Sequence, residues 1–119
     1  MNKRIRKKQL KKLGVWVDNS ELWNLDQTLA EYILPRLKKF QKVNIAYPGI
    51  EPMSTFEAWQ DAIGKMIRAF ELILLDEMDV YGDIFDKNIE EYRKIIIELQ
   101  KEIDEGLELF AKYFQYLWI

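Results

Sequence analysis

From Ile89 to Leu117 the apolar positions step alternately by three and four: Ile89, Tyr92, Ile96, Leu99, Ile103, Gly106, Phe110, Tyr113 and Leu117. A stripe with that spacing stays on one side of an α-helix and would scatter over both faces of a strand. It runs for four heptads, with the small Gly106 in place of one knob. Asn88, followed three residues later by Glu91, supplies a start signal. A helix of about 30 residues from here reaches about 45 Å. A rod of that length has to bury its stripe against other helices.

Two shorter segments can supply them. Ser54-Thr55-Phe56-Glu57 reads as a capping box. The helix it opens carries Trp59, Ile63, Met66, Ile67, Phe70, Ile73, Leu74 and Met78 on one face, with Gly82 as its terminator. Gly64 in its middle costs about 1 kcal/mol relative to Ala, which predicts close approach of another helix there. The first helix covers Leu25 to Phe40, capped by Asn24 with Gln27 reaching back. Leu25, Leu29, Ile33, Leu37 and Phe40 form its face, widened by Leu22 and Tyr32. Pro35 removes the partner of the Glu31 carbonyl, which predicts a kink or break near Glu31–Leu34. Between these helices Pro48-Gly49 fits a type II turn. Val43, Ile45 and Tyr47 alternate and suit a brief extended stretch against Val15–Val17.

With only 5 Gly and 3 Pro in 119 residues, the expected fold is all-α. Residues 14–119 form a single helical domain, a three-helix bundle with a kinked first helix and a long C-terminal helix. That last helix is expected to project as an oligomerisation element through Ile96, Leu99, Ile103, Phe110, Tyr113 and Leu117. The ending Phe114-Gln115-Tyr116-Leu117-Trp118-Ile119 needs cover, from the N-terminal Trp segment or a second protomer.

Residues 1–13 stand apart. Lys3, Arg4, Arg6, Lys7, Lys8, Lys11 and Lys12 occur without an acid, and Gly14 follows. Such a block repels itself and reads as a basic flexible arm. Taking its seven charges from the chain's 18 Lys+Arg leaves a body in which 20 Asp+Glu dominate. The arm suits a solubilising tail, contact with an acidic surface, or the phosphates of nucleic acid. Its apolar residues Ile5, Leu10 and Leu13 make too thin a stripe for a membrane helix. No apolar run approaches the about 20 residues that span a bilayer, and no secretory apolar segment follows the basic start. The expected location is the cytosol.

The absence of His and Cys narrows the chemistry. It removes Ser-His and Cys-His catalysis, thiolate nucleophiles, imidazole ligands and disulfides. Phosphate-cradling Gly motifs are missing too, and the two serines, Ser20 and Ser54, lie in no nucleophile motif. Asp76, Glu77, Asp79, Asp83 and Asp86 do not follow the EF-hand spacing and suit solvated or capping roles. No catalytic residue, cofactor or metal is expected, and the chain does not read as an enzyme.

Less bland is the set Trp23, Asp26, Arg36, Trp59, Lys65, Arg68 and Glu71. Its charges suit ion pairs that fix helix register. They also suit an anion pocket for a nucleotide-type ligand, with Arg36, Lys65 and Arg68 as donors and Trp23 or Trp59 as stacking platform. The same residue types suit a protein interface.

The order Trp23-x-Leu25-Asp26, Tyr32-Ile33-Leu34-Pro35-Arg36-Leu37-Lys38-x-Phe40, Tyr47-Pro48, Trp59 and Lys65-Met66-Ile67-x-Ala69-Phe70-Glu71 resembles a family of small tailed-bacteriophage and prophage proteins. The resemblance covers roughly residues 22–74. The Leu-Asp usual before Lys-Met is here Ile63-Gly64, so no acid stands at that place. The resemblance implies a phage context and names no activity. By analogy with small phage accessory binders, including inhibitors of host defence, the expectation is a non-enzymatic protein that binds a host or phage protein, as a homo-oligomer. The alternatives are a nucleotide-type ligand binder and a nucleic-acid-associated protein using the arm.

Overall fold

The computed structural model describes residues 3–118, which are all-helical in their regular structure. The elements are α1 (Lys3–Lys12), α2 (Leu25–Val43), α3 (Phe56–Ile73), α4 (Glu77–Lys87) and α5 (Ile89–Lys112). Short 3-10 turns lie at Asn19–Leu22 and Phe114–Tyr116. Among the described residues the only β-type pairing is an isolated bridge between Ile50 and Met53. The extended pair expected between Val15–Val17 and Val43–Tyr47 does not form, because Val43 completes α2.

α3 is the centre. Trp59, Ile63 and Met66 are fully buried, and Ala62, Ile67, Ala69, Phe70 and Leu72 join them. α2 lies along one side of α3 and α5 along the other, while the backbones of α2 and α5 do not meet. Side chains bridge that gap. Ile33, Leu37 and Phe40 of α2 and Phe110 of α5 pack on the cluster that holds Phe70, whose ring meets Phe110 edge to face at 5.1 Å. α4 leans only on α5, with Phe85 edge-on to Tyr92 at 5.1 Å.

The α5 stripe is spent inside the chain. Leu99 and Ile103 pack with Leu72, with Ile96 alongside. Tyr113 is buried against Trp59, and Phe110 and Leu117 cover the same cluster. The stripe assigned to oligomerisation is therefore the seam against α3. α5 has 24 residues, fewer than expected, because the chain tightens into the 3-10 turn at Phe114.

Other boundaries move for local reasons. The second expected helix is two. α3 ends at Ile73, and the Asp76 carboxylate accepts from Asp79 N–H at 3.1 Å to start α4. Met78 then lies exposed on α4, and Gly82 is inside that helix rather than ending one. The cap of α3 is Thr55, whose hydroxyl accepts from Ala58 N–H at 3.1 Å, in place of Ser54. Asn24 occupies the cap position of α2 without a side-chain cap bond. Asn88 caps α5 as its sequence suggests, accepting from Glu91 N–H at 3.2 Å. α2 runs unbroken across Pro35.

The basic block is helical rather than irregular. Lys, Arg, Gln and Leu are good helix formers. The helix stops at Gly14, with φ at +74°. Gly14 N–H donates to Lys11 O and Val15 N–H to Leu10 O, both at 3.0 Å, the pairing of a Schellman motif. α1 touches none of the other helices. The radius of gyration is 18.9 Å and the extents are 54 × 47 × 21 Å. A compact chain of this length has a radius near about 13.5 Å, so the molecule is flat and open.

The close helix approach falls at Gly106, not at Gly64. A Cβ on Gly106 would collide with Ala69 Cβ and the Lys65 carbonyl oxygen. A Cβ on Gly64 would meet only the Gln41 amide nitrogen at 3.6 Å, an ordinary contact. Gly64→Ala is thus expected to stabilise the fold by up to about 1 kcal/mol, read as a rise in Tm. A loss of stability there would contradict the packing described.

Candidate functional site

α2 faces two ways. The side bearing Ala30, Ile33, Leu34, Leu37 and Phe40 turns to the core. Leu25, Leu29, Tyr32 and Arg36 follow i, i+4, i+7, i+11 spacing on an adjacent face, and all are exposed. Leu25 and Leu29, read as core from their periodicity, have no neighbouring helix on that side. Leu22 and Trp23 continue the patch before the helix, Trp23 with 74% of its surface open.

Arg36 is held in place on this face. Its guanidinium carbon lies 3.5 Å from the centre of the Tyr32 ring, and Nη1 donates to the Tyr32 carbonyl at 2.8 Å. No carboxylate pairs with Arg36 among the described ion pairs. Beside it, Ile33, Leu37, Phe40, Phe110 and Leu117 line an apolar cleft of about 280 Å³.

The remaining cations are neutralised elsewhere. Lys65 Nζ lies 2.9 Å from Glu105 and 3.7 Å from Asp61. The hydrogen bond to Glu105 and its charge, helped by Asp61, hold the Lys65 ammonium above the ordinary lysine range. The stabilisation this carries is present below the ordinary lysine pKa and fades as pH rises through the raised value. Arg68 Nε lies 3.6 Å from Glu102, and Lys38 Nζ lies 3.7 Å from Glu71. These pairs tie α3 to α5 and α2 to α3, as register-fixing pairs would. They are exposed, so each is worth at most about 1 kcal/mol. The anion pocket of Arg36, Lys65 and Arg68 does not assemble, because the last two face the acids of α5.

Trp59 is no exposed platform: it is 1% exposed, with its ring edge-on to Tyr113 at 5.7 Å. Asp26 lies in the first turn of α2 and lines a shallow cavity of about 730 Å³ with Leu72–Met78, Gln100, Ile103 and Leu107. Among the described residues no three carboxylates gather into a metal-holding group. No helix among them is long and apolar enough to cross a membrane. A further cavity, of about 450 Å³, lies where the α2–α3 loop meets the C-terminal turn. Its signal in the sequence was the apolar ending that needs cover. The chain matches no family model, curated protein or solved structure with which it was compared.

Proposed function

We propose that this chain is a non-enzymatic phage accessory protein that acts by binding a protein of the host or of the phage, as counter-defence inhibitors do. The phage setting, and with it a place in the bacterial cytoplasm, rests on the resemblance of residues 22–74. The observation that carries the binding reading is the patch of Trp23, Leu25, Leu29 and Tyr32 with Arg36 stacked and unpaired beside them. Trp, Tyr and Arg are the residues that dominate binding energy at interfaces. A guanidinium already held against Tyr32 loses little freedom on docking. The test is capture from host lysate by the full chain and by Trp23→Ala/Leu29→Asp. A specific partner held by the first and lost by the second supports the reading. A partner held equally by both removes it.

A second reading has its own support. α1 carries its seven basic residues on a helix that touches no other helix. Phosphate contact through α1 predicts nucleic-acid affinity that falls steeply with salt and disappears on deleting residues 1–12. Affinity that survives the deletion ends this reading. A nucleotide-type ligand is less favoured, since Lys65 and Arg68 are already paired.

A further inference from the structure

The shallow cavity of about 730 Å³ opens where the first turns of α2 and α4 meet the end of α3 and the middle of α5. Leu72, Ile103 and Leu107 give it an apolar wall, and Asp26, Asp76 and Glu77 are its charged groups. No cation lines it. Asp76 is engaged as the cap of α4, while Asp26 and Glu77 meet no cation among the described ion pairs. The N-termini of α2 and α4 add about half a positive charge each, and the C-terminus of α3 about half a negative one. Three carboxylates outweigh that sum. The cavity therefore suits a cationic group with apolar side chains beside it.

The chain carries such a segment at its other pole of charge. On α1, Arg4, Lys8, Lys11 and Lys12 follow i, i+4, i+7, i+8 spacing and share one face. None of them meets an acid among the described ion pairs. Just past the helix, Leu13, Val15 and Val17 alternate along the chain and are exposed. The residues between them are occupied: Trp16 donates its indole N–H to Asp18 at 3.1 Å, and Lys7 lies 3.7 Å from Asp18 and over the Trp16 ring. These contacts clip α1 to its own linker, and α1 touches no other helix of its chain. A basic, apolar-edged arm is thus held out from a body in which acids outnumber the remaining basic residues.

We propose that the arm of one chain docks in the Asp26–Glu77 cavity of a second copy, and that the second copy returns the contact. The basic face of α1 meets the carboxylates, and Leu13, Val15 and Val17 cover Leu72, Ile103 and Leu107. A two-fold axis repeats the contact once and closes the pair. Nucleic acid would satisfy the same cations but leave the three apolar side chains bare, so the second copy is the better match. The oligomer contact lies in the arm and not in the α5 stripe. This goes beyond the protein-binding reading and uses none of the α2 patch.

The test is sedimentation of the full chain, freed of nucleic acid, at about 0.1 mM and at two salt concentrations. Between about 0.05 M and 0.5 M salt the screening length shrinks about threefold. The proposal expects a mass of two chains at low salt and of one chain at high salt. Deleting residues 1–12 should leave one chain at both. Asp26→Asn/Glu77→Gln should raise the dimer dissociation constant about tenfold or more, since four charges leave the pair. Glu90→Gln/Glu98→Gln removes the same charge outside the cavity and should change it by less than about twofold. A single chain at low salt overturns the proposal, as a fold-back of the arm onto its own body would give. So does a dimer that survives the deletion, or equal weakening by the two acid pairs. Trp23→Ala/Leu29→Asp should keep the dimer, and losing it there would move the contact to the α2 face. The protein-binding reading is judged apart, by lysate capture with that variant.

Discussion

Gly106→Ala is expected to destabilise the fold by about 2–3 kcal/mol, a drop of several degrees in Tm. The new methyl would strike Ala69 Cβ and the Lys65 carbonyl oxygen. One neighbour is main chain and the other is a fully buried Ala, so neither can swing aside as a flexible side chain would. Relief requires α5 to move away from α3, which loosens the contacts of Leu99, Ile103 and Tyr113 together. The higher helix propensity of Ala returns at most about 1 kcal/mol. Thermal unfolding followed by circular dichroism checks this. A Tm equal to or above that of the parent would mean that α5 does not seat on α3 as described. The opposite sign expected at Gly64, in the same helix pair's central element, makes the two glycines a matched control.

The second large effect is on binding. Trp23→Ala combined with Leu29→Asp should weaken the captured partner by about thirtyfold or more, as loss of a central hot spot does. Both side chains are open to solvent, so stability should change by no more than about 0.5 kcal/mol. Tyr32→Ala should act through Arg36 as well as directly, because it removes the ring against which the guanidinium is stacked. Lys65→Gln and Arg68→Gln should leave affinity unchanged, since both cations face α5 acids. An effect of those two variants equal to that of the α2 pair would relocate the working surface.

The α5 stripe was legible because a helix with one apolar stripe declares which residues share a face; its partner was not, since the stripe expected to meet a second protomer packs on α3. The cap at Asn88 was legible because a short polar side chain satisfies free N–H groups at a helix start. What periodicity does not carry is whether a neighbour exists. Leu25 and Leu29 share spacing with Ile33 and Leu37, yet only the latter pair meets the core. The same gap explains the glycines: either could have marked a close approach, and only the position of α5 decides for Gly106. The apolar run Leu72–Leu75 hid the end of α3, since nothing in it breaks a helix; the stop comes from Asp76 recruiting the next N–H groups. Lys65 and Arg68 looked available for an anion until α5 laid Glu105 and Glu102 opposite them. The cavity at Asp26 and Glu77 joins residues far apart in the chain, which no local pattern reveals.

The most direct measurement is calorimetric titration of the partner captured from host lysate into the full chain and into Trp23→Ala/Leu29→Asp. A single tight isotherm for the first, and at least about thirtyfold weaker binding for an equally folded second, is the predicted outcome. Equal affinities would place the contact elsewhere on the molecule and contradict the assignment of the α2 face.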